Sequence, residues 1–346
     1  MSYLSVIREE QKAIFSVTHM AILYGIMDAW RRCNNRDLAP QEPDVVASLV
    51  LESTPVLHSA LAEILQPHRM NVSVFGVYCH QTPKVKFAGM RKTSCELGDL
   101  LLVHKHTQRS GLLLRNSLLF QAKMSARQPY RISHSESDQL ALFTTWPDFQ
   151  YHSSGALTGM QRSVKPKMLH TGAQYLLIDD RPPTEPHSGL LGLPGTYPIG
   201  SCMPDDLLHD HSDLASEVLQ FLLYRSGRPF EDRSDSVGRG DWSELVWDLI
   251  NVGVTKAFTR RLSGRAVVAR GAGDPIEMCD GRSFSGATSP TAYTVISQVI
   301  GKRDAGILFR RAGHGGVGDE RPNRELAEPP SGISIILIET SEAREE

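Results

Sequence analysis

Cysteine is scarce and scattered in this 346-residue chain: Cys33, Cys79, Cys95, Cys202 and Cys279 are odd in number and form no C-x-x-C pair. That spacing excludes a disulfide framework and a zinc ribbon. No run of 18 consecutive apolar residues occurs, so no membrane span is expected. The first residues carry Glu9 and Glu10 rather than a compact apolar stretch before a cleavage site, and do not read as a signal peptide. Excess positive charge is lacking as well, since 37 Lys and Arg against 39 Asp and Glu leave a net charge of −2. A nucleic-acid partner would have to meet a local basic surface. Hydrophobic residues at 40% and charged residues at 22% are globular values and exclude wholesale disorder. The expectation is a protein of the cytoplasm, long enough for two domains or for one with insertions.

Residues 2–33 read as one helix, because Val6, Ile7, Phe15, Ile22, Leu23, Ile26, Met27 and Trp30 recur mostly at helical spacing until Asn34-Asn35. A linker follows over 37–43. The stripe Val45, Val46, Leu49, Val50, Leu57, Leu61 and Ile64 predicts a second helix over 44–66, kinked or split at Pro55. The period then drops to two, giving strands over 71–79 and 84–87. Apolar runs over 99–107 and 112–123 flank Arg109-Ser110-Gly111 and signal a hairpin. A helix over 135–146, closed by Pro147, and a buried strand over 174–179 come next.

Residues 181–206 are rich in Pro and Gly. Helices are expected over 212–224, capped by Ser212, and over 241–262, where Asp241 and Glu244 form a capping pair. Strands are expected over 266–270, 305–310 and 333–339, with a Gly- and charge-rich loop over 311–332. The pattern predicts an α/β protein in three parts. These are an N-terminal helix and linker (1–43), a core (44–180), and a more helical, mixed C-terminal region (181–346) that packs on the core or serves regulation or targeting.

The segment that stands out runs from Cys95 through Glu96, Gly98 and Asp99 into the apolar Leu100–Val103 stretch, and is followed by Leu118-Leu-Phe-Gln-Ala-Lys123. With Arg109 to Gly111 as the loop, antiparallel pairing sets Asp99 opposite Gln121. Side chains alternate along a strand, so Asp99, Gln121 and Lys123 then share one face at the end of the hairpin, and a one-residue slip would separate them. A carboxylate, an amide oxygen and an ammonium gathered there suit a divalent-metal hydrolase. Asp99 would bind Mg²⁺, or Mn²⁺, with further oxygens from Gln121 and the Ala122 carbonyl. Lys123 would polarise the attacking water or offset charge on the phosphate. Because Gln121 is neutral, the site leans on another carboxylate, for which Glu52, Glu63 and Glu96 are candidates and Glu52 is preferred.

A helix with Glu, a strand, a strand led by Asp, then a strand ending in Gln-x-Lys resembles the PD-(D/E)XK nuclease superfamily. It is most similar to the Gln-x-Lys variants among bacterial restriction-like and antiviral effector nucleases. The resemblance covers roughly residues 44–180. It implies a restriction-endonuclease-like αβββαβ core and Mg²⁺-dependent hydrolysis of phosphodiester bonds, in defence against foreign DNA. It places Asp99 as the strand acid, Gln121 and Lys123 as the half-motif and Glu52 as the helix acid. Gly98 stands where the family's pattern has proline. DNA is the expected substrate ahead of RNA, with Lys84, Lys86, Arg91, Lys92, Arg115 and Arg127 as contacts and a second copy or a partner subunit as further company. The competing expectation is a catalytically degenerate nucleic-acid-binding or assembly subunit of the same fold.

Other motifs read as structure. His209-Asp-His211 and His104-Lys-His106 lack a downstream ligand at metal spacing, and strand parity turns the second pair away from Asp99. The Gly-rich segment over 313–319 lacks the Lys-Ser/Thr of a phosphate loop, and no G-x-S-x-G elbow appears. Cys79 and Cys95 read as small buried hydrophobes, and Trp146, Trp242 and Trp247 as core.

Overall fold

A computed structural model describes residues 2–35, 37–79, 83–126, 129–165, 172–182, 198–262, 276–280 and 332–343. The N-terminal helical signal resolves into α1 (Tyr3–Glu9) and α2 (Gln11–Asn34), which meet at Glu10. The second resolves into α3 (Glu42–Leu51) and α4 (Ser53–Leu65), broken at Glu52. Pro55 has no amide hydrogen to return to the carbonyl of Leu51, and the chain breaks there instead of bending. Among the described residues four more helices follow: α5 (Ser137–Thr145), α6 (Leu214–Leu222), α7 (Arg233–Ser236) and α8 (Trp242–Leu262). Asp213, not Ser212, caps α6, accepting the Ser216 amide at 3.0 Å.

The strands are β1 (Met70–Cys79), β2 (Lys84–Phe87), β3 (Cys95–Glu96), β4 (Leu100–Thr107), β5 (Leu113–Met124), β6 (Tyr130–Arg131), β7 (Phe149–His152) and β8 (Gln161–Arg162). They continue with β9 (Ala173–Ile178), β10 (Ile199–Cys202), β11 (Leu207–Leu208), β12 (Ser212–Asp213), β13 (Arg228–Pro229), β14 (Ile276–Asp280) and β15 (Ser334–Glu342). A nine-stranded sheet runs in the order β12-β10-β9-β5-β4-β15-β1-β14, with β13 also paired to β5. It is mixed, because β15 lies parallel to β4 and β9 parallel to β5, while the other pairs are antiparallel. A second sheet, β3-β2-β7-β8, stands beside it, and β6 pairs with β11.

Strand parity separates two cores, one on each side of the large sheet. Leu101, Val103, Leu119, Tyr175 and Leu177 face Phe143 and Trp146 at α5, and Leu245 and Ile250 of α8. Leu100, Leu102, Leu118, Phe120 and Ala122 face the helices α1 to α4 and α6. The protein is thus of the α/β class, with helices on both faces of a mixed sheet. The region 181–346 supplies β10, β12, β13, β14 and β15 to the same sheet as the expected core, β15 lying between β4 and β1. The strands expected over 266–270 and 305–310 and the Gly-rich segment over 313–319 lie outside the described residues.

Two helical stretches, Gln11–Asn34 and Glu42–His68, are long and apolar enough to cross a membrane by length and composition. More than half of each is buried, α2 against α3, α4 and α6, and α4 against β1, as expected where an apolar helix packs on a sheet.

Candidate functional site

The β4–β5 hairpin carries the site. Its register pairs Leu100 with Phe120 and Thr107 with Leu113, which sets Asp99 opposite Gln121 as the alternation predicts. Gly111 takes the loop's left-handed position at φ 85°. Gln121 and Lys123 therefore point to the side of the sheet covered by α5. His104 and His106 point to the other side, against Tyr3, His104 also meeting Phe221 and Tyr224.

β4 begins at Leu100, so β5 runs past it and exposes backbone amides that no strand pairs on that side. Two carboxylates take them. Asp99 Oδ2 accepts the Ala122 N–H at 2.8 Å, and Glu42 Oε1, from the first residue of α3, accepts the Met124 N–H at 3.0 Å. The two acids bracket Lys123. Its ammonium lies 2.8 Å from Glu136 Oε1. Glu136 is held in turn by the Ser133 amide at 2.9 Å, the Ser133 hydroxyl at 2.6 Å and the Tyr130 hydroxyl at 3.0 Å. Gln139, on α5, donates to Gln121 Oε1 and to the Glu96 carbonyl at 3.1 Å, tying helix to hairpin.

These groups surround a recess of about 300 Å³ whose walls include Glu42, Glu96, Gln121, Lys123, Glu136 and Gln139, with Lys84 and Lys92 on the side of the small sheet. Its electrostatics are those of crowded carboxylates. Desolvation, then the charge of Glu96, with Glu42 adding to them, pushes the Asp99 carboxyl up to about 7 against the pull of the Ala122 amide and Lys123. Asp99 keeps some solvent contact, yet the atoms packed around it desolvate its carboxyl. Burial raises Glu42 also. Burial works against the charge of Lys123 but is outweighed by its bond to Glu136 and by Glu42 and Asp99, so its pKa ends raised. Burial likewise opposes ionisation of Glu136, but the bonds from Lys123 and Ser133 carry it down to about 2.

Gly98 has a local reason. A Cβ there would stand 2.8 Å from Leu119 Cδ1 and 3.1 Å from the Phe120 carbonyl oxygen, so any side chain, proline included, meets the neighbouring strand. The residue before Asp99 is small because β5 passes against it.

Of the residues singled out from the sequence, Asp99, Gln121, Ala122 and Lys123 come together, joined by Glu96, Lys84 and Lys92. Glu52 does not join them. It sits at the α3–α4 break, where its charge acts on Arg31, and ten residues of helix separate it from Glu42 by about 15 Å. The helix acid at the recess is Glu42. The sequence pattern puts Glu42 in a linker, although Gln41 and Asp44 form a capping box that marks a helix start there. Glu63 is exposed on α4. Lys86 is exposed on β2, and Arg91 is exposed beside His134. Arg115 pairs with Asp232 and lies eight residues along β5 from Lys123, about 26 Å away. Arg127 lies outside the described residues. Cys79 is buried as expected, whereas Cys95 is half-buried on the recess wall, where burial and then Asp138 and Glu96 push its thiol up to about 12. Besides Glu42, sequence reasoning missed Glu136, Gln139 and Tyr175. The Tyr175 hydroxyl, beside Gln121 in the β5–β9 register, is buried without a hydrogen-bond partner among the described residues.

Among the described residues no three His, Cys, Asp or Glu side chains form a group that could hold a metal ion by themselves. An ion entering this recess would meet the Glu42 carboxylate and the Gln121 amide oxygen on its wall, with the Asp99 carboxylate, bonded to the Ala122 amide, adding its charge from beside it. Such hard, mostly anionic donors fit Mg²⁺ in kind, and like-charge crowding on Asp99 is what a bound cation relieves. Compared with protein-family models, curated proteins and solved structures, the chain matches none of them.

Proposed function

We propose that the chain is a metal-dependent nuclease that hydrolyses phosphodiester bonds in DNA. The observation that carries the reading is the convergence at one end of the β4–β5 hairpin of Gln121, Lys123 and Glu42, which line a recess together with Lys84 and Lys92, and of Asp99, whose carboxylate holds the Ala122 amide between Gln121 and Lys123. The element order adds support. With β2, β3, β7 and β8 set apart in the small sheet, the run α3–α4, β1, the β4–β5 hairpin, α5 and β9 parallel to β5 is compatible with an αβββαβ order, although β15, from far along the chain, stands between β4 and β1.

Mg²⁺, when bound, supplies a Lewis acid and a water acidic enough to attack. Asp99 and Gln121 offer it oxygens, and the ammonium of Lys123, fixed by Glu136, is placed to orient the attacking water or to offset charge building on the phosphate. Lys84 and Lys92 supply cations for the flanking phosphates.

The test is incubation of the purified protein with plasmid and linear DNA in Mg²⁺ or Mn²⁺, beside Asp99→Ala and Lys123→Ala. Metal-dependent nicking lost in both variants is the expected result. A second reading, a DNA-binding subunit that does not cleave, is favoured by one observation: Gln139 occupies the Gln121 amide oxygen and Glu136 occupies Lys123. Equal DNA retention by wild type and both variants, with no cleavage, selects it.

A further inference from the structure

The small sheet β3-β2-β7-β8 turns one face inward and one to solvent, and the outward face has a definite order. Val85 and Tyr151 are paired and buried, so the intervening residues point the other way. Register then places Lys84 between Glu96 and His152 in one row, and Lys86, Gln150 and Gln161 in the next. The first row opens on the recess that holds Gln121 and Lys123, of which Lys84 and Glu96 are walls. The second row lines a separate recess of about 590 Å³. Lys92 is a wall of both.

The rows form one polar platform leading away from the proposed catalytic centre. Lys84 and Lys86 are two strand positions apart, about 6.6 Å, a step suited to successive phosphates of an extended nucleotide chain. Beyond them Gln150 and Gln161 offer amide groups across the next two strands, within about 10 Å of Lys86. Gln150 donates to the Gly159 carbonyl at 2.7 Å, which orients its amide and leaves its oxygen as an acceptor. Each recess has the volume of a small-ligand pocket. Lys84 and Lys86 stand on one strand and offer a single line of cations, which one phosphate backbone fills, whereas a duplex presents two backbones and spreads its contacts over about 1,000–2,500 Å² of protein surface.

We propose that this platform binds single-stranded DNA. In this assignment phosphates of one strand lie on Lys84, Lys86 and Lys92, and the base of the nucleotide whose phosphate meets Lys86, one step further from the scissile bond than Lys84, lies against Gln150 and Gln161. The assignment rests on the nuclease reading for its direction, since it sets the substrate's path relative to Asp99 and Lys123. Its test does not require cleavage.

Affinity of the full chain for a fluorescent single-stranded oligonucleotide, the matching duplex and a free nucleoside monophosphate is measured by anisotropy in EDTA over a range of salt, for wild type, Lys86→Gln and Gln161→Ala. Both substituted side chains face solvent, and equal melting temperatures confirm that the variants fold. The single strand is expected to bind about tenfold tighter than the duplex, and Lys86→Gln to lower the slope of log affinity against log salt by about 0.7, as loss of one single-strand phosphate contact requires. Gln161→Ala weakens the strand without changing that slope. The assignment is overturned if the duplex binds as tightly as the strand, if the monophosphate matches the strand, or if Lys86→Gln leaves the slope unchanged. Should the platform bind as stated while no DNA is cut in Mg²⁺ or Mn²⁺, the catalytic reading fails alone. Cleavage with unchanged Lys86→Gln binding leaves the catalytic reading and removes the platform.

Discussion

Glu42 accepts the backbone amide of Met124 at 3.0 Å, across 82 residues of sequence, and by doing so ends β5 against the start of α3. Asp99 accepts the Ala122 amide two residues earlier on the strand. A pair of carboxylates that closes a sheet edge also encloses Lys123, so the capping that finishes the fold assembles the recess. Glu42→Gln keeps an amide acceptor for Met124 but removes the charge. It should lower metal-dependent cleavage by about 100-fold or more, the scale of losing one positioned charge. Glu52→Gln should change it less than twofold. Parallel rate assays on the two variants decide which acid serves the site.

On the proposed reading Glu136 would act through Lys123 as a positioning residue, since its carboxylate lies 2.8 Å from the ammonium. Glu136→Gln leaves a buried ammonium with a weaker partner, which should cost about 1–3 kcal/mol of stability. With its tether loosened, Lys123 should also deprotonate more readily, so any cleavage by the variant should fall at a lower pH in the alkaline limb than in wild type. Denaturant melts and a pH–rate profile read the two effects separately. An unchanged alkaline limb would remove the role given to Glu136.

Gly98→Ala places a methyl group 2.8 Å from the Leu119 side chain and 3.1 Å from the Phe120 carbonyl oxygen, so that Leu119, β5 or the Asp99 backbone has to move. Overpacking of this kind costs about 1–3 kcal/mol. Activity should fall further than the stability loss explains, because the displaced residue is Asp99's neighbour. The double variant that combines Gly98→Ala with Leu119→Val provides the check: making room at Leu119 should restore both.

On the far side of the sheet, burial and then His106 push His104 down to about 3, while His104 stays bonded to Thr340 at 3.1 Å and near the Tyr3 hydroxyl at 3.3 Å. The unfolded chain takes up a proton on this histidine from about pH 6.5 downward and the folded chain does not until about pH 3. Folding stability is therefore full above 6.5 and is lost progressively as pH falls toward 3. His104→Gln removes this one-proton dependence. Its melting temperature should fall less than that of wild type between pH 7.5 and 5, whatever its value at pH 7.5. Equal falls in both proteins would show that His104 does not titrate on unfolding.

The hairpin and its face were legible in the chain alone. Alternation, a glycine-ending turn and two apolar runs of matched length leave one register, and that register carries Asp99, Gln121 and Lys123 to one side because side chains alternate along any strand. The inward character of Trp146, Trp242 and Trp247 was legible for a similar reason, as each stands among apolar neighbours at core spacing. Glu42 was not. An acid at a helix start satisfies the helix dipole wherever it points, so local pattern cannot say that this one reaches a strand end. Nor was the place of β15, whose parallel pairing with β4 joins residues more than 230 apart, a contact that neither periodicity nor turn chemistry encodes. What the sequence determined by itself was therefore short-range: which residues alternate, where the chain turns, and which three groups share a face. Which acid joins those three groups, which strand separates β1 from β4, and which carboxylate fixes Lys123 were decided only in the tertiary structure, because those choices depend on burial between distant segments.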